Sequence, residues 1–220
     1  MKLAPSILAA DFTDLQQAIK LIEVARCEFV HFDVMDGNFV PNLTFGAAVI
    51  SQCKQLTNTP FDVHLMVTNP AEYVDPMADA GVDVLSFHVE AEKYSPRLIR
   101  RIQERNMIAS VAVNPQTSLT AIEDILPLLD NVLLMSVDPG FYGQEFIQTM
   151  FHKIEKLHAF REDHELLFTI QVDGGVNEDN LETLRQLGVD TVVAGKAFFQ
   201  SPDPVLFATR VHGSRRRFHA

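Results

Sequence analysis

The sequence predicts an α/β protein built as a single-domain (β/α)₈ TIM barrel. Eight short runs rich in Val, Ile, Leu and Phe recur along the chain, and segments with helical spacing separate them. The whole fits in 220 residues, about 27 per β/α unit, which suits a small barrel. Strands joined by helices run parallel, and a parallel sheet must be covered on both faces or closed on itself. An open doubly wound sheet would carry a Gly-rich fingerprint after its first strand, where SILAADF has no Gly.

The strand runs are LAPSIL from Leu3, FVHFDVMD from Phe29, FDVHLMV from Phe61, VLSFHV from Val84, IASVAV from Ile108, NVLLMSV from Asn131, LFTIQVD from Leu167 and TVVAG from Thr191. After the first, Asp11 can cap a helix whose apolar face is Phe12, Leu15, Ile19 and Ile22. The segment from Asn177 passes through Leu181, Leu184 and Leu187 and stops at Gly188. Strand, helix, strand is the expected rule throughout. No linker or low-complexity stretch marks a second domain, so the barrel is assigned to residues 1–212. The remainder, 213–220 (GSRRRFHA, with Arg215, Arg216 and Arg217), reads as a frayed, solvated tail.

A net charge of −11 repels a phosphate backbone and argues against nucleic acid as a partner. An anionic metabolite would need local backbone N–H groups or a metal to overcome that field. Cys27 and Cys53, in apparently helical stretches, match neither zinc nor redox spacing; they read as reduced, partly buried thiols, which fits the cytoplasm. The start, MKLAPSILAADF, meets Asp11 before any long apolar region, and no apolar run approaches the ~18 residues of a membrane span, so neither export nor insertion is expected.

Barrel strands send alternate side chains inward, and chemistry on this fold gathers at their C-terminal ends. In FVHFDVMD, His31, Asp33 and Met35 share one face, while Val30, Phe32 and Val34 take the other. FDVHLMV repeats this with Asp62, His64 and Met66, and Gln171 and Asp173 share a face just before Gly174 and Gly175. Burying two carboxylates and two imidazoles uncompensated costs on the order of several kcal/mol per unpaired charge. A divalent metal held by His31, Asp33, His64 and Asp173 is the simplest compensation, and that donor set suits Zn²⁺, Mn²⁺ or Fe²⁺. Met35, Met66 and Met135 read either as core filler or as a polarizable, water-excluding surface beside a charged intermediate. His88 and Glu90 either support the site or form a buried structural pair, and His152 and His158 read as surface.

The turns VDPGFYGQ, VDGGV and AGKAFF follow strands 6, 7 and 8 on one rim. Gly lets backbone N–H groups approach a ligand, and this fold commonly binds phosphate after strands 7 and 8, so a phosphate cup is expected there.

With these residues in view, the sequence resembles the ribulose-phosphate 3-epimerase family over almost its whole length. The matching pieces are APSILAADF, HFDVMDGNFVPNLTFG, DVHLMV, FHVEA, NP after strand 5, MSVDPGF with GQ.F, VDGGVN and the strand 8 Gly. The resemblance implies a barrel of the ribulose-phosphate-binding type that interconverts D-ribulose 5-phosphate and D-xylulose 5-phosphate in the pentose phosphate pathway. It implies His31, Asp33, His64 and Asp173 as ligands of one divalent ion per subunit, Zn, Mn or Fe and also Co or Mg, with Asp33 and Asp173 doubling as base and acid. Ser6 and His64 would contact substrate. Gly140, Phe141, Tyr142 and Gly143, Gly174 with Gly175, and Gly195 with Lys196 would hold the phosphate. A homo-oligomer is implied as well. Inverting a carbon beside a ketone removes a proton on one face and returns one on the other through a planar enediolate, and two opposed carboxylates accomplish this without moving the sugar.

Two positions depart from the family pattern. Tyr142 and Lys196 stand where small residues are usual, both at the presumed cup, and they bear on substrate identity rather than reaction type. A hexulose phosphate such as D-allulose 6-phosphate is the alternative substrate. A Schiff-base aldolase working through Lys196, or a sugar-phosphate-binding protein without turnover, would leave the two-His, two-Asp cluster or its acids unexplained.

Overall fold

The computed structural model of the chain describes residues 1–213, so the basic tail with Arg215, Arg216 and Arg217 lies outside the described residues. All eight expected strands form: β1 Lys2–Pro5, β2 Val30–Met35, β3 Phe61–Met66, β4 Val84–His88, β5 Ile108–Val113, β6 Asn131–Met135, β7 Thr169–Asp173 and β8 Thr191–Ala194. Each pairs in parallel with its neighbour around the order β1-β8-β7-β6-β5-β4-β3-β2. The ring closes between β1 and β2 through the parallel Ser6–His31 bridge and the Glu28 and Phe29 N–H groups on the Leu3 carbonyl. The seam therefore lies beside two residues expected in the site.

The helices are α1 Leu15–Val24, α2 Ala47–Lys54, α3 Val74–Asp79, α4 Ser95–Glu104, α5 Met150–Asp163, α6 Leu181–Gln186, α7 Lys196–Phe199 and α8 Pro204–His212. They pack on the outward strand faces, where Val30, Phe32, Val34, Val63 and Leu65 join one continuous apolar core. The strand-helix alternation fails once. Between β5 and β6 the chain makes two 3₁₀ turns, Leu119–Ala121 and Glu123–Leu128, and Pro127 inside the second cannot donate an α-helical bond. Three local readings also change. Asp11 caps a 3₁₀ turn, and Asp14, accepting from the Gln17 N–H, caps α1. Phe12 is 50% exposed and so stands outside the apolar face. Cys27 follows α1 rather than lying in a helix, and both thiols are free and buried.

Inside the barrel, below its mouth, several polar side chains bond to one another, while Asp62 Oδ1 and Ser86 Oγ have no hydrogen-bond partner among the described residues. Asn131 Nδ2 donates to Ser110 Oγ (2.9 Å) and to Gln171 Oε1 (2.8 Å). Gln171 Nε2 in turn donates to Asp62 Oδ2 at 2.5 Å.

Candidate active site

At the C-terminal end of the strands β2 delivers His31 and Asp33, β3 delivers His64 and β7 delivers Asp173. Register places Asp33 opposite His64. One donor atom from each of the four lies within 4.8 Å of all the others. His31 Nε2 is 3.4 Å from Asp33 Oδ1 and 3.8 Å from Asp173 Oδ2, while His64 Nδ1 is 3.3 Å and 3.6 Å from the same two oxygens. Donors about 2.0–2.2 Å from a common ion stand roughly 3.3–3.6 Å apart at tetrahedral angles, a spacing that three of these four distances match and the 3.8 Å one exceeds slightly.

The surroundings aim these atoms. His31 Nδ1 is engaged by Asp62 Oδ2 at 2.7 Å, and His31 Nε2, fully buried, has no hydrogen-bond partner among the described residues. An orphaned buried imidazole nitrogen facing two carboxylates fits the role of a metal ligand. Ser6 Oγ donates to Asp33 Oδ2 at 2.5 Å, turning Oδ1 toward the cluster. His64 Nε2 meets His88 Nε2 at 2.8 Å, and His88 Nδ1 meets Glu90 Oε2 at 3.1 Å.

The charges are strongly interlocked. Burial alone would depress the His31 imidazole, but Asp62 and then Asp33 overrule it and hold it well above its usual range. His64 is raised against burial in the same way by Asp173 and Asp33. Burial alone would raise Asp33, but the nearby positive charge of His31 first, and then His64 with its hydrogen bond from Nδ1, hold it well below the carboxylate range. His88, with burial dominant, is pushed down to about 4. The cluster thus collects positive charge at one point, and a divalent ion there would take the place of the imidazolium protons.

A cavity of about 520 Å³ opens over the cluster. Asp33 and Asp173 line it, His31 and His64 lie beneath with no exposed surface, and Ser6 is on its wall. Met35, Met66 and Met135, each nearly buried, form the apolar side. All three glycine turns reach it, through Gly140, Phe141, Tyr142 and Gly143, through Gly174 and Gly175, and through Gly195 and Lys196. Two of those glycines have a further reason to be there. A Cβ on Gly174 would lie 2.3 Å from Val137 Cγ2, and one on Gly175 would lie 2.4 Å from the Phe146 backbone nitrogen, so the β6 and β7 loops interlock only without side chains. Lys196 has no ion pair among the described residues, whereas His158 accepts from Arg161 on α5 and His152 is exposed.

Every residue read from the sequence as part of the site is thus at this mouth. Reasoning from alternation placed Asp62 inward but missed its reach across strands to His31, and it left open whether His88 and Glu90 support the site or form a structural pair; the His88 contact with His64 joins the pair to the site.

A closed parallel barrel whose mouth holds two carboxylates and two imidazoles around a single point, with a glycine-lined recess beside it, defines a barrel protein with a site able to hold a metal ion. Residues 2–199 match the model of the ribulose-phosphate 3 epimerase family. The ribulose-phosphate 3-epimerase of Treponema pallidum is 43% identical over 90% of either chain, and that of Bacillus subtilis is 40% identical over 98% of this chain and all of its own. The chain belongs to the ribulose-phosphate 3-epimerase family. Among solved structures, a 3-hexulose-6-phosphate synthase superposes with a TM-score of 0.70 at 17% identity over 96% of this chain and 98% of its own, a likeness of fold.

Proposed function

We propose that the protein is an isomerase that interconverts D-ribulose 5-phosphate and D-xylulose 5-phosphate, moving the C3 proton between Asp33 and Asp173. The observation that carries this is the placement of the two carboxylates. They stand on β2 and β7, three strands apart around the closed barrel, yet both line one cavity. The oxygens facing the histidines are Asp33 Oδ1 and Asp173 Oδ2, which leaves Asp33 Oδ2 and Asp173 Oδ1 for proton transfer. In the ribulose direction Asp33 takes the proton, with Ser6 donating to the accepting oxygen, and Asp173 returns one on the opposite face. A single divalent ion held by His31, Asp33, His64 and Asp173, Zn, Mn or Fe by donor type and also Co or Mg, supplies Lewis-acid stabilisation of the enediolate charge when bound. Met35, Met66 and Met135 keep water from that charge. Gly140, Phe141, Tyr142, Gly143, Gly174, Gly175 and Gly195 offer the phosphate their backbone, and Lys196 adds a cation to an otherwise acidic chain.

The buried free thiols and the absence, among the described residues, of any helix long and apolar enough to cross a membrane are consistent with a cytoplasmic enzyme. Homo-oligomerisation is proposed from the family resemblance. The test follows exchange of the C3 hydrogen in deuterated water with ribulose 5-phosphate and, separately, allulose 6-phosphate, before and after chelation. Exchange with the pentulose that chelator abolishes and added metal restores is expected. Chelator-resistant activity together with borohydride trapping on Lys196 would replace this reading with Schiff-base chemistry, and preference for the six-carbon ketose would reassign the substrate.

A further inference from the structure

The two histidines present different nitrogens to the cluster. His31 presents Nε2 and His64 presents Nδ1. For His31 the choice is made locally, because the carboxylate of Asp62 beside Nδ1 accepts a hydrogen bond, so the neutral, ligating ring keeps its proton on Nδ1 and its lone pair on Nε2. For His64 the neighbour is another imidazole, whose nitrogen can either donate or accept.

The choice is made one residue further out. His88 Nδ1 faces Glu90 Oε2 at 3.1 Å. A carboxylate accepts, so a neutral His88 carries its proton on Nδ1 and offers a lone pair at Nε2. His64 must then donate from Nε2, which leaves its Nδ1 lone pair directed at the ligand point. Glu90 is itself immobilised. Its Oε1 accepts from the Asn114 N–H at 2.9 Å and from Thr117 Oγ1 at 2.5 Å. Lys153 Nζ on α5 pins that same loop by donating to the carbonyls of Asn114, Pro115 and Thr117 at 3.0, 2.6 and 2.7 Å. The Phe39 ring covers His88 with centroids 4.6 Å apart, and His88 has no exposed surface.

We infer that Glu90 is a positioning residue for the metal centre: acting through His88, it fixes the tautomer of His64 so that a lone pair rather than an N–H faces the ion. The inference deepens the metal reading of the proposed function and rests on it.

Glu90→Gln isolates the effect because the direction of the new amide is dictated. Its carbonyl oxygen must serve the Asn114 N–H and Thr117 hydroxyl, so its NH₂ takes the place of Oε2 and donates to His88 Nδ1. His88 is thereby driven to Nε2–H and His64 to Nδ1–H, which opposes a cation. The experiment titrates metal-stripped full-length protein with Zn²⁺ by calorimetry and reads the His88 tautomer from ¹⁵N spectra of zinc-loaded wild type. The expected results are Nδ1–H at His88 and zinc binding about 10- to 100-fold weaker in Glu90→Gln. Thr117→Val, which keeps the carboxylate, should bind within about twofold of wild type on the same scale. Unchanged zinc affinity in Glu90→Gln overturns the inference. Should that variant not fold, a wild-type His88 protonated on Nε2 overturns it alone. Wild type that binds no zinc overturns the metal reading itself, an outcome distinct from either.

Discussion

Two polar layers are stacked inside the same barrel, and they behave in opposite ways. In the lower one, Ser110, Asn131, Gln171 and Asp62 turn their donors and acceptors on one another across four strands. In the upper one, two carboxylates of like charge face one point, and the nitrogen of His31 that joins them there has no hydrogen-bond partner among the described residues. Both layers lie inside the barrel and both are built from inward strand positions, β3 and β7 contributing to each. The lower layer pairs most of its own polar groups, Asp62 Oδ1 being the one of these four residues' buried atoms left without a partner among the described residues, which makes it chiefly structure. The upper layer leaves several valences converging on one place, and that shared deficit marks a site where burial alone does not. Asp62 belongs to both, since one of its oxygens receives Gln171 from below and His31 from above.

Substitutions should separate the layers. Asp33→Asn is expected to lower the rate of C3 hydrogen exchange by about 10²- to 10⁴-fold while the thermal unfolding midpoint stays at or near that of wild type. A variant that keeps its activity removes the distinction between the layers from the chemical side. Gln171→Leu should do the reverse. It takes a donor from Asp62 and an acceptor from Asn131, costing about 1–3 kcal/mol in denaturant unfolding, with kcat within about twofold of wild type. Equal loss of activity there would mean the lower layer is part of the machinery.

At the rim, Lys196→Met should raise KM about five- to tenfold with kcat preserved, as expected for a group that contributes to binding the phosphate alone. A kcat effect would bring it into the chemistry.

The smallest effect expected is at Asp36, which joins the ends of β2 and β3. Burial would raise this carboxyl, but the N–H groups of Thr68, Phe39 and Asn38 and the Thr68 hydroxyl outweigh it and hold it at about 2. A carboxyl depressed on folding contributes stability above its unfolded value of 3.8, and that contribution is lost as pH falls through about 2. The gap in melting temperature between wild type and Asp36→Asn should therefore be full at pH 5 and close between pH 4 and pH 2, as followed by circular dichroism.

What could be read from the chain alone was whatever depends on alternation and local spacing. A strand sends every second side chain to the same face, so His31, Asp33 and Met35 had to share a side, as did Asp62, His64 and Met66, and eight such runs separated by helical spacing leave few ways to close a sheet. The glycine turns were legible for a related reason, since they follow strand ends directly. Tertiary structure decided the rest. The reach of Asp62 to His31, of Gln171 to Asp62, and of Glu90 through His88 to His64 joins residues on different strands, and which atoms meet depends on the stagger fixed when the barrel closes at Ser6 and His31. The exposure of Phe12 was likewise settled by packing, because helical periodicity states which side chains align and not what surface they meet.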